Sequence, residues 1–342
     1  MGDISGILKK FSKYNLKSGR DIYYPNRIPT GIDTLDIITG GGYPTGRIVE
    51  LYGAESVGKT LSVLKTIAAN QKLGKVCAYV DAEQTFDYEW AIQQGIDTES
   101  LIVQQPSFGE ETIDFIKELI QSDMVDLIIL DSIEGVIPKI ELEKSAEDQQ
   151  MGVKARMMNK AVRVWNSVLG VSERKPPIIC INQMRMTMNR YDPTTTPGGM
   201  GMKYFAAMRI ELTRGRTQKD QKTMEKQYVE IRAKTDKNKT AIQGKYGYWT
   251  MYIGNNEVFP PGYCDCTKYV ITKAKELGLV ESAGAWFYYD GEKYQGKTAL
   301  VEYFYDNPEI YKAFLNKIII GGDNFGHKSE ISEAREEPEQ EA

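Results

Sequence analysis

Gly53-Ala54-Glu55-Ser56-Val57-Gly58-Lys59-Thr60 decides the fold of this chain. The spacing is G-x-x-x-x-G-K-[ST], the pattern of a phosphate-binding loop. The preceding Arg47-Ile48-Val49-Glu50-Leu51-Tyr52 is β-branched and aromatic and reads as a strand. The following run from Leu61 to Gln71 has helical apolar spacing that closes near Gly74. A loop between strand and helix points backbone N–H groups at phosphate oxygens. Gly53 and Gly58 keep Cβ atoms out of the way, Lys59 is placed for the β/γ-phosphates, and the Thr60 hydroxyl for Mg²⁺.

The 342 residues can hold one large or two modest domains, and 41% hydrophobic with 26% charged residues is ordinary globular composition. No apolar run approaches the ~20 residues that span a bilayer. Cys77 and Cys180 lie in apolar strand-like runs, Cys264 and Cys266 form a lone C-x-C, and there is one histidine, His327. These argue against a zinc or histidine-based site and fit a reducing cytoplasm. The net charge of −4 is unevenly spread. Residues 329–342 hold six Glu and one Arg, so the rest of the chain is +1, and residues 214–245 carry a local +6. A near-neutral body thus has a basic stripe and an acidic tail.

Residues 1–26 form a basic arm with a helix-like Ile7–Phe11 and a strand-like Asp21–Tyr24; Pro25 and Pro29 mark its end. From residue 27 to 255, strand-like and helix-like runs alternate. Strands are expected at 47–52, 76–81, 101–104, 126–131 and 177–182, then at 208–213, 228–235 and 247–253. The first group implies a parallel sheet with helices on both faces; the second, joined by turns, an antiparallel extension. Residues 256–325 read as a separate aromatic-rich unit, and 326–342 as a disordered acidic tail.

Three strand ends complete a nucleotide site. Val125-Asp126-Leu127-Ile128-Ile129-Leu130-Asp131 is an apolar strand closing on an acid, which suits Asp131 to Mg²⁺; a helix cap is the plainer alternative. Val80-Asp81-Ala82-Glu83 ends a strand expected beside that of the phosphate loop, so Glu83 can activate water, or is a surface glutamate. Ile181-Asn182-Gln183 ends another strand, from which Gln183 can reach a γ-phosphate.

These elements, in this order, resemble the bacterial RecA recombinase family. The resemblance covers about Ile28 to Lys317, through PTGIDTLDIITGGGYPTGRIVELYGAESVGKT, CAYVDAEQTFD, DLIILDS, MGVKARMM, INQMRM, TDKNK and ESAGAWFYYDGEKYQGK. It implies an α/β fold: a RecA-type P-loop ATPase core with a mixed, mainly parallel sheet, a polymerisation arm, and a small α+β C-terminal domain that binds duplex DNA. It also implies Glu83 as the catalytic glutamate, Gln183 as the residue coupling ATP to DNA, and Asp87 with Trp90 at the adenine. Lys237 and Lys239 would reach a neighbour's γ-phosphate. The expected activity is ATP-dependent strand exchange by a filament on single-stranded DNA, with homologous duplex as second partner. Single-strand-binding protein, loaders and a LexA-type repressor are further family partners, and the cytoplasm with its nucleoid is the expected place.

The family's first DNA loop falls between Pro138 and Gly152, with Met151 at its tip and Arg156, Asn159 and Arg163 as phosphate contacts. The last three share one helical face. The second loop runs from Arg185 to Gly199; Met188 is suited to wedge between bases, and Gly198 and Gly199 to backbone contact with phosphate. Arg232 and Lys234 in the basic stripe and Lys297 in the C-terminal unit complete the DNA set. The chain departs from the family in a second loop two residues shorter, in Met200 for an asparagine, in Ser282 for a lysine, and in its short arm, as in a phage- or plasmid-borne member. A hexameric motor of the same fold and a non-exchanging filament regulator are the alternatives; open helices rather than rings, and DNA-stimulated ATPase activity, distinguish them.

Overall fold

The computed structural model describes residues 4–11, 13, 23–143, 152–186, 194–219, 226–254 and 259–322. Met151 and Met188 lie outside these residues, as do the acidic tail and most of the arm. In chain order the strands are β1 (Arg27–Ile28), β2 (Tyr43–Pro44), β3 (Ile48–Gly53), β4 (Cys77–Asp81), β5 (Leu101–Gln104) and β6 (Leu127–Asp131). There follow β7 (Ile178–Gln183), β8 (Arg185–Met186), β9 (Thr194–Thr195), β10 (Met208–Lys219), β11 (Lys226–Asn238) and β12 (Tyr246–Tyr252). The last are β13 (Cys264–Asp265), β14 (Glu281–Ala283), β15 (Trp286–Tyr289) and β16 (Glu292–Gln295). The helices are α1 (Ile4–Lys10), α2 (Asp33–Thr39), α3 (Lys59–Gln71), α4 (Tyr88–Gln93), α5 (Gly109–Gln121) and α6 (Lys139–Glu143). They continue with α7 (Val153–Val171), α8 (Met200–Phe205), α9 (Thr267–Glu276), α10 (Gly296–Asp306) and α11 (Pro308–Gly322).

A nine-stranded sheet of order β13-β12-β11-β10-β3-β7-β6-β4-β5 organises the molecule. Strands β3, β7, β6, β4 and β5 run parallel, β10 joins parallel to β3, and β11, β12 and β13 extend the sheet antiparallel. Alternate side chains bury against opposite layers, as the two-residue period of a strand requires. Val49, Leu51, Tyr79, Ile129 and Ile181 share one core with Val63, Leu64 and Ile67 of α3. Ile48, Val80, Leu130 and Cys180 share the other with Ile116 and Ile120 of α5 and Met158, Trp165 and Leu169 of α7.

Two expectations need correction. Strand β4 does not adjoin the phosphate-loop strand: β7 and β6 lie between β4 and β3. Chain order makes them consecutive, but the crossovers insert two later strands between them. The strand expected over 21–24 is not formed at its described residues. Tyr23 bonds through its hydroxyl to Thr45, and Tyr24 donates to the Thr240 carbonyl at 3.1 Å, so both rings are tethers to the core.

Residues 264–265, expected in the C-terminal unit, complete the core sheet through β12. Beyond them, β14–β16 form an antiparallel sheet packed with α9–α11. Phe304 and Phe314 stack at 4.7 Å and join the core that holds Leu35 and Trp249. Tyr311 donates to Asp33 at 2.8 Å, tying α11 to α2.

Candidate nucleotide and DNA site

Gly53 ends β3, where a Cβ would stand 2.2 Å from the Leu212 carbonyl of β10, so the strand can bend into the loop only without a side chain. Gly58 takes φ of 80° as the residue before α3, and a Cβ there would meet the Met251 sulfur at 2.9 Å. Ala54, Glu55 and Ser56 are exposed and Val57 is buried beneath them. Arg214 of β10 donates to the Ser56 carbonyl and braces the loop, a contact that local spacing does not reveal. Lys59 is buried, and its ammonium donates to loop carbonyls, Gly53 at 3.1 Å and Ala54 at 2.6 Å. Burial pushes that ammonium down, against the pull of Asp131, Glu83 and Glu55. A buried cation among backbone dipoles at a helix N-terminus is a fit for phosphate.

The acids converge over the same edge because β3, β7, β6 and β4 all end there. Asp131 is 5% exposed and its Oδ2 accepts from Thr60 at 2.9 Å and Tyr79 at 2.7 Å. Burial raises its carboxyl to about 6, and the two hydroxyls oppose the rise. Thr60 and Asp131 thus form a hydroxyl–carboxylate pair of the kind that holds Mg²⁺ beside phosphates. Glu83 is brought to the end of the neighbouring β6 by the chain after β4. Ala82 N–H donates to the Asp131 carbonyl at 2.8 Å, and the Ser132 hydroxyl donates to the exposed Glu83 carboxylate. Tyr79 and Ser132 are functional neighbours that sequence patterning did not single out.

Gln183 ends β7 directly opposite Gly53 in register. Beneath it lies a buried network. Glu50 of β3 and Asn182 of β7 are fully buried; Asn182 donates to Glu50 at 2.8 Å and to the Pro197 carbonyl at 2.9 Å. Arg209 pairs with the same carboxylate, reaches Thr196 at 3.5 Å and lies 4.6 Å above the Tyr52 ring. The phosphate-loop strand is thereby bonded to Thr196 and Pro197, at the end of the 185–199 segment.

Asp87 caps α4 by accepting from Trp90 N–H at 2.9 Å, and the Trp90 ring is half-buried against the core. Lys237 and Lys239 close on the C-terminus of α8. Lys237 donates to the carbonyls of Lys203 at 2.7 Å and Tyr204 at 2.9 Å, and Lys239 to that of Tyr204 at 3.4 Å. Burial, with Lys239 and Arg209 nearby, lowers the Lys237 ammonium to about 8. In register Lys237 is level with Arg209 and hence with Glu50, three residues short of Gly53.

Arg156 and Arg163 are exposed on α7. Asn159, between them, accepts from Gly201 N–H at 2.6 Å and so fastens α7 to α8. Gly198 and Gly199 pack on Ile133 and Ala155. Arg232 and Lys234 pair with acids two residues along their own strand, Glu230 at 2.7 Å and Asp236 at 2.8 Å. Lys297 donates to the Lys268 carbonyl and, at 2.9 Å, to the Thr272 hydroxyl of α9. Ser282 is exposed on β14. Among the described residues no helix is long and apolar enough to cross a membrane.

A phosphate loop, a buried acid and an exposed glutamate over a sheet of this order define a P-loop ATPase with a RecA-type core. The sequence matches the RecA N-terminal domain over residues 3–255 and the RecA C-terminal domain over 269–320. It is 38% identical to Protein RecA of Thermotoga petrophila over 293 residues, 83% of this chain and 79% of that protein. Protein RecA of Mesoplasma florum is 37% identical over 286 residues, 82% and 83% of the two chains. That of a Nocardioides species is 35% identical over 328 residues, 93% and 91%. The chain belongs to the bacterial RecA family. It is a DNA-dependent ATPase of homologous recombination and repair.

Proposed function

We propose that this chain polymerises on single-stranded DNA, binds Mg²⁺–ATP between protomers, and exchanges strands with a homologous duplex in the cytoplasm. The observation that carries the reading is the convergence of Lys59, Gln183, Asp131 and Glu83 at the ends of four adjacent parallel strands. Lys59 and the loop N–H groups bind and orient phosphate. Mg²⁺ held by Thr60 and Asp131 would neutralise phosphate charge. Glu83, steadied by the Ser132 hydroxyl, takes the proton of the attacking water. Asp87 and Trp90 stand at the base.

Lys237 and Lys239 act on the next protomer's phosphate. The place of Lys237 level with Glu50, away from its own phosphate loop, supports action across a boundary. The arm, with Ile7 and Phe11 exposed on and just after α1, docks on the neighbouring core. Arg156, Asn159, Arg163, Arg185, Gly198 and Gly199, with Met151 and Met188, hold the single strand; Arg232, Lys234 and Lys297 meet duplex. Single-strand-binding protein, loaders and a LexA-type repressor are the partners this role brings. Residues 329–342, net −5, act as an anionic competitor for the DNA surface.

The test is strand exchange with homologous and heterologous duplexes. Product is expected from the homologous pair only, and equal yield from both refutes the reading. Glu83→Gln keeps ATP and DNA binding but loses about 10²-fold or more in turnover.

A further inference from the structure

The roots of the two DNA loops are joined by one acid. Glu134 lies three residues beyond the end of β6. Its Oε1 accepts from the guanidinium of Arg185, at the start of the second loop. Its main-chain oxygen accepts from the ammonium of Lys154, in the first turn of α7 at the end of the first loop. The Arg185 side chain is 61% exposed and that of Glu134 23%. The remaining carboxylate oxygen, Oε2, is buried with no hydrogen-bond partner among the described residues.

A carboxylate with one oxygen paired and one buried without a partner is poorly satisfied where it stands. Its partner, by contrast, faces solvent. The planar fork of a guanidinium accepts a phosphate oxygen in the geometry it offers a carboxylate. Lys154 already touches the same residue. Burial pushes its ammonium down, the Glu134 charge opposes this, and the Arg185 charge adds to the depression. Withdrawal of Arg185 therefore strengthens the attraction between Lys154 and Glu134.

We propose that Glu134 is a positioning residue of the single-strand site, which holds Arg185 between the loop roots until DNA phosphate displaces it and Lys154 takes the released carboxylate. The inference rests on the reading of Arg185 as a phosphate contact. An arginine that leaves a carboxylate to meet phosphate adds less net charge neutralisation than one that arrives unpaired. Glu134 thus weakens and desalts DNA binding, and couples the two loops through one displacement.

The experiment measures binding of a fluorescent oligo-dT by the full chain across a salt series. Glu134→Gln keeps the side-chain shape and frees Arg185. It is expected to tighten binding by up to about fivefold, and to steepen the log–log salt slope by about 0.7. Glu141→Gln removes a charge from the same neighbourhood and is the control. In an Arg185→Gln background, Glu134→Gln should do no more than that control does. Equal gains in both backgrounds, or a gain no larger than the control's, would mean that Glu134 acts as bulk charge and would overturn the proposal. Lys154→Gln gives a second arm: it should weaken binding in the wild-type background and much less beside Glu134→Gln. Equal weakening in both overturns the handover. If Arg185→Gln alone leaves affinity and slope unchanged, the phosphate assignment of Arg185 has failed, and the proposal with it.

Discussion

Glu50→Gln removes the charge at the centre of the buried network while keeping the side-chain shape. The carboxylate is fully buried, accepts from Asn182 at 2.8 Å, and pairs with an Arg209 side chain only 14% exposed. Removing one partner of such a pair leaves the other charge buried, at a cost of about 3–5 kcal/mol. The amide oxygen of Gln can still accept from Asn182, so the lower end, about 3 kcal/mol, is expected. At roughly 2–4 °C per kcal/mol for a domain of this size, the melting temperature should fall by about 6–12 °C. Replacing both partners, Glu50→Met with Arg209→Met, removes both buried charges and should return stability to within about 1 kcal/mol of wild type. That double variant still lacks the bonds to Thr196 and to the strand beneath Gly53, so it should bind nucleotide but lose stimulation of ATP hydrolysis by single-stranded DNA. Urea denaturation and DNA-stimulated ATPase measurements check both arms. Single variants within about 0.5 kcal/mol of wild type, or a double as unstable as the sum of the singles, would refute the reasoning.

Lys237→Ala should keep its overall fold, α8 apart, yet fail in ATP-dependent filament activation, and mixing it with wild type should depress activity more than dilution does; proportional loss would place the lysine within its own subunit. Burial raises the Asp131 carboxyl from 3.8 to about 6, so from about pH 4 to 6 the folded chain holds the proton more tightly than the unfolded chain. Stability of the metal-free protein therefore falls as pH rises through that window, and Asp131→Asn should remove the dependence, gaining about 3 kcal/mol near pH 7.5 in denaturation with chelator. Arg163→Ala should weaken single-strand binding regardless of base sequence and reduce the salt slope by about 0.7; an unchanged slope would take Arg163 off the phosphate backbone.

The phosphate loop was legible because its chemistry is local: eight consecutive residues specify backbone shape, cation and metal hydroxyl together. Strands β4, β5, β6 and β7 were legible for the same reason, since each is a short apolar run ending in a polar residue. Their spatial order was not, because nothing in a run such as CAYVD says that two later strands will insert beside it. Glu83 could be picked as an acid at a strand end, but its anchoring by Ser132 depends on that order. Asn159 is the instructive case. Spacing places it on one face of α7 with Arg156 and Arg163, but does not reveal that its side-chain oxygen accepts from Gly201, forty-two residues on. Long-range bonds between side chain and backbone leave no periodic trace. The β14–β16 sheet was read as an aromatic segment because its strands are only three or four residues long.

Helix α8 is six residues long, fewer than two turns, and an isolated helix of that length does not persist in water. It survives here because Asn159 holds its first turn and Lys237 its last carbonyls. Such an element behaves as a fuse. If a neighbour's phosphate draws Lys237 away, or a DNA backbone draws Asn159, the helix has too little cohesion of its own to tilt as a rod and will unwind where it is let go. Its amides should be among the first in the core to exchange with deuterium when either clamp is cut.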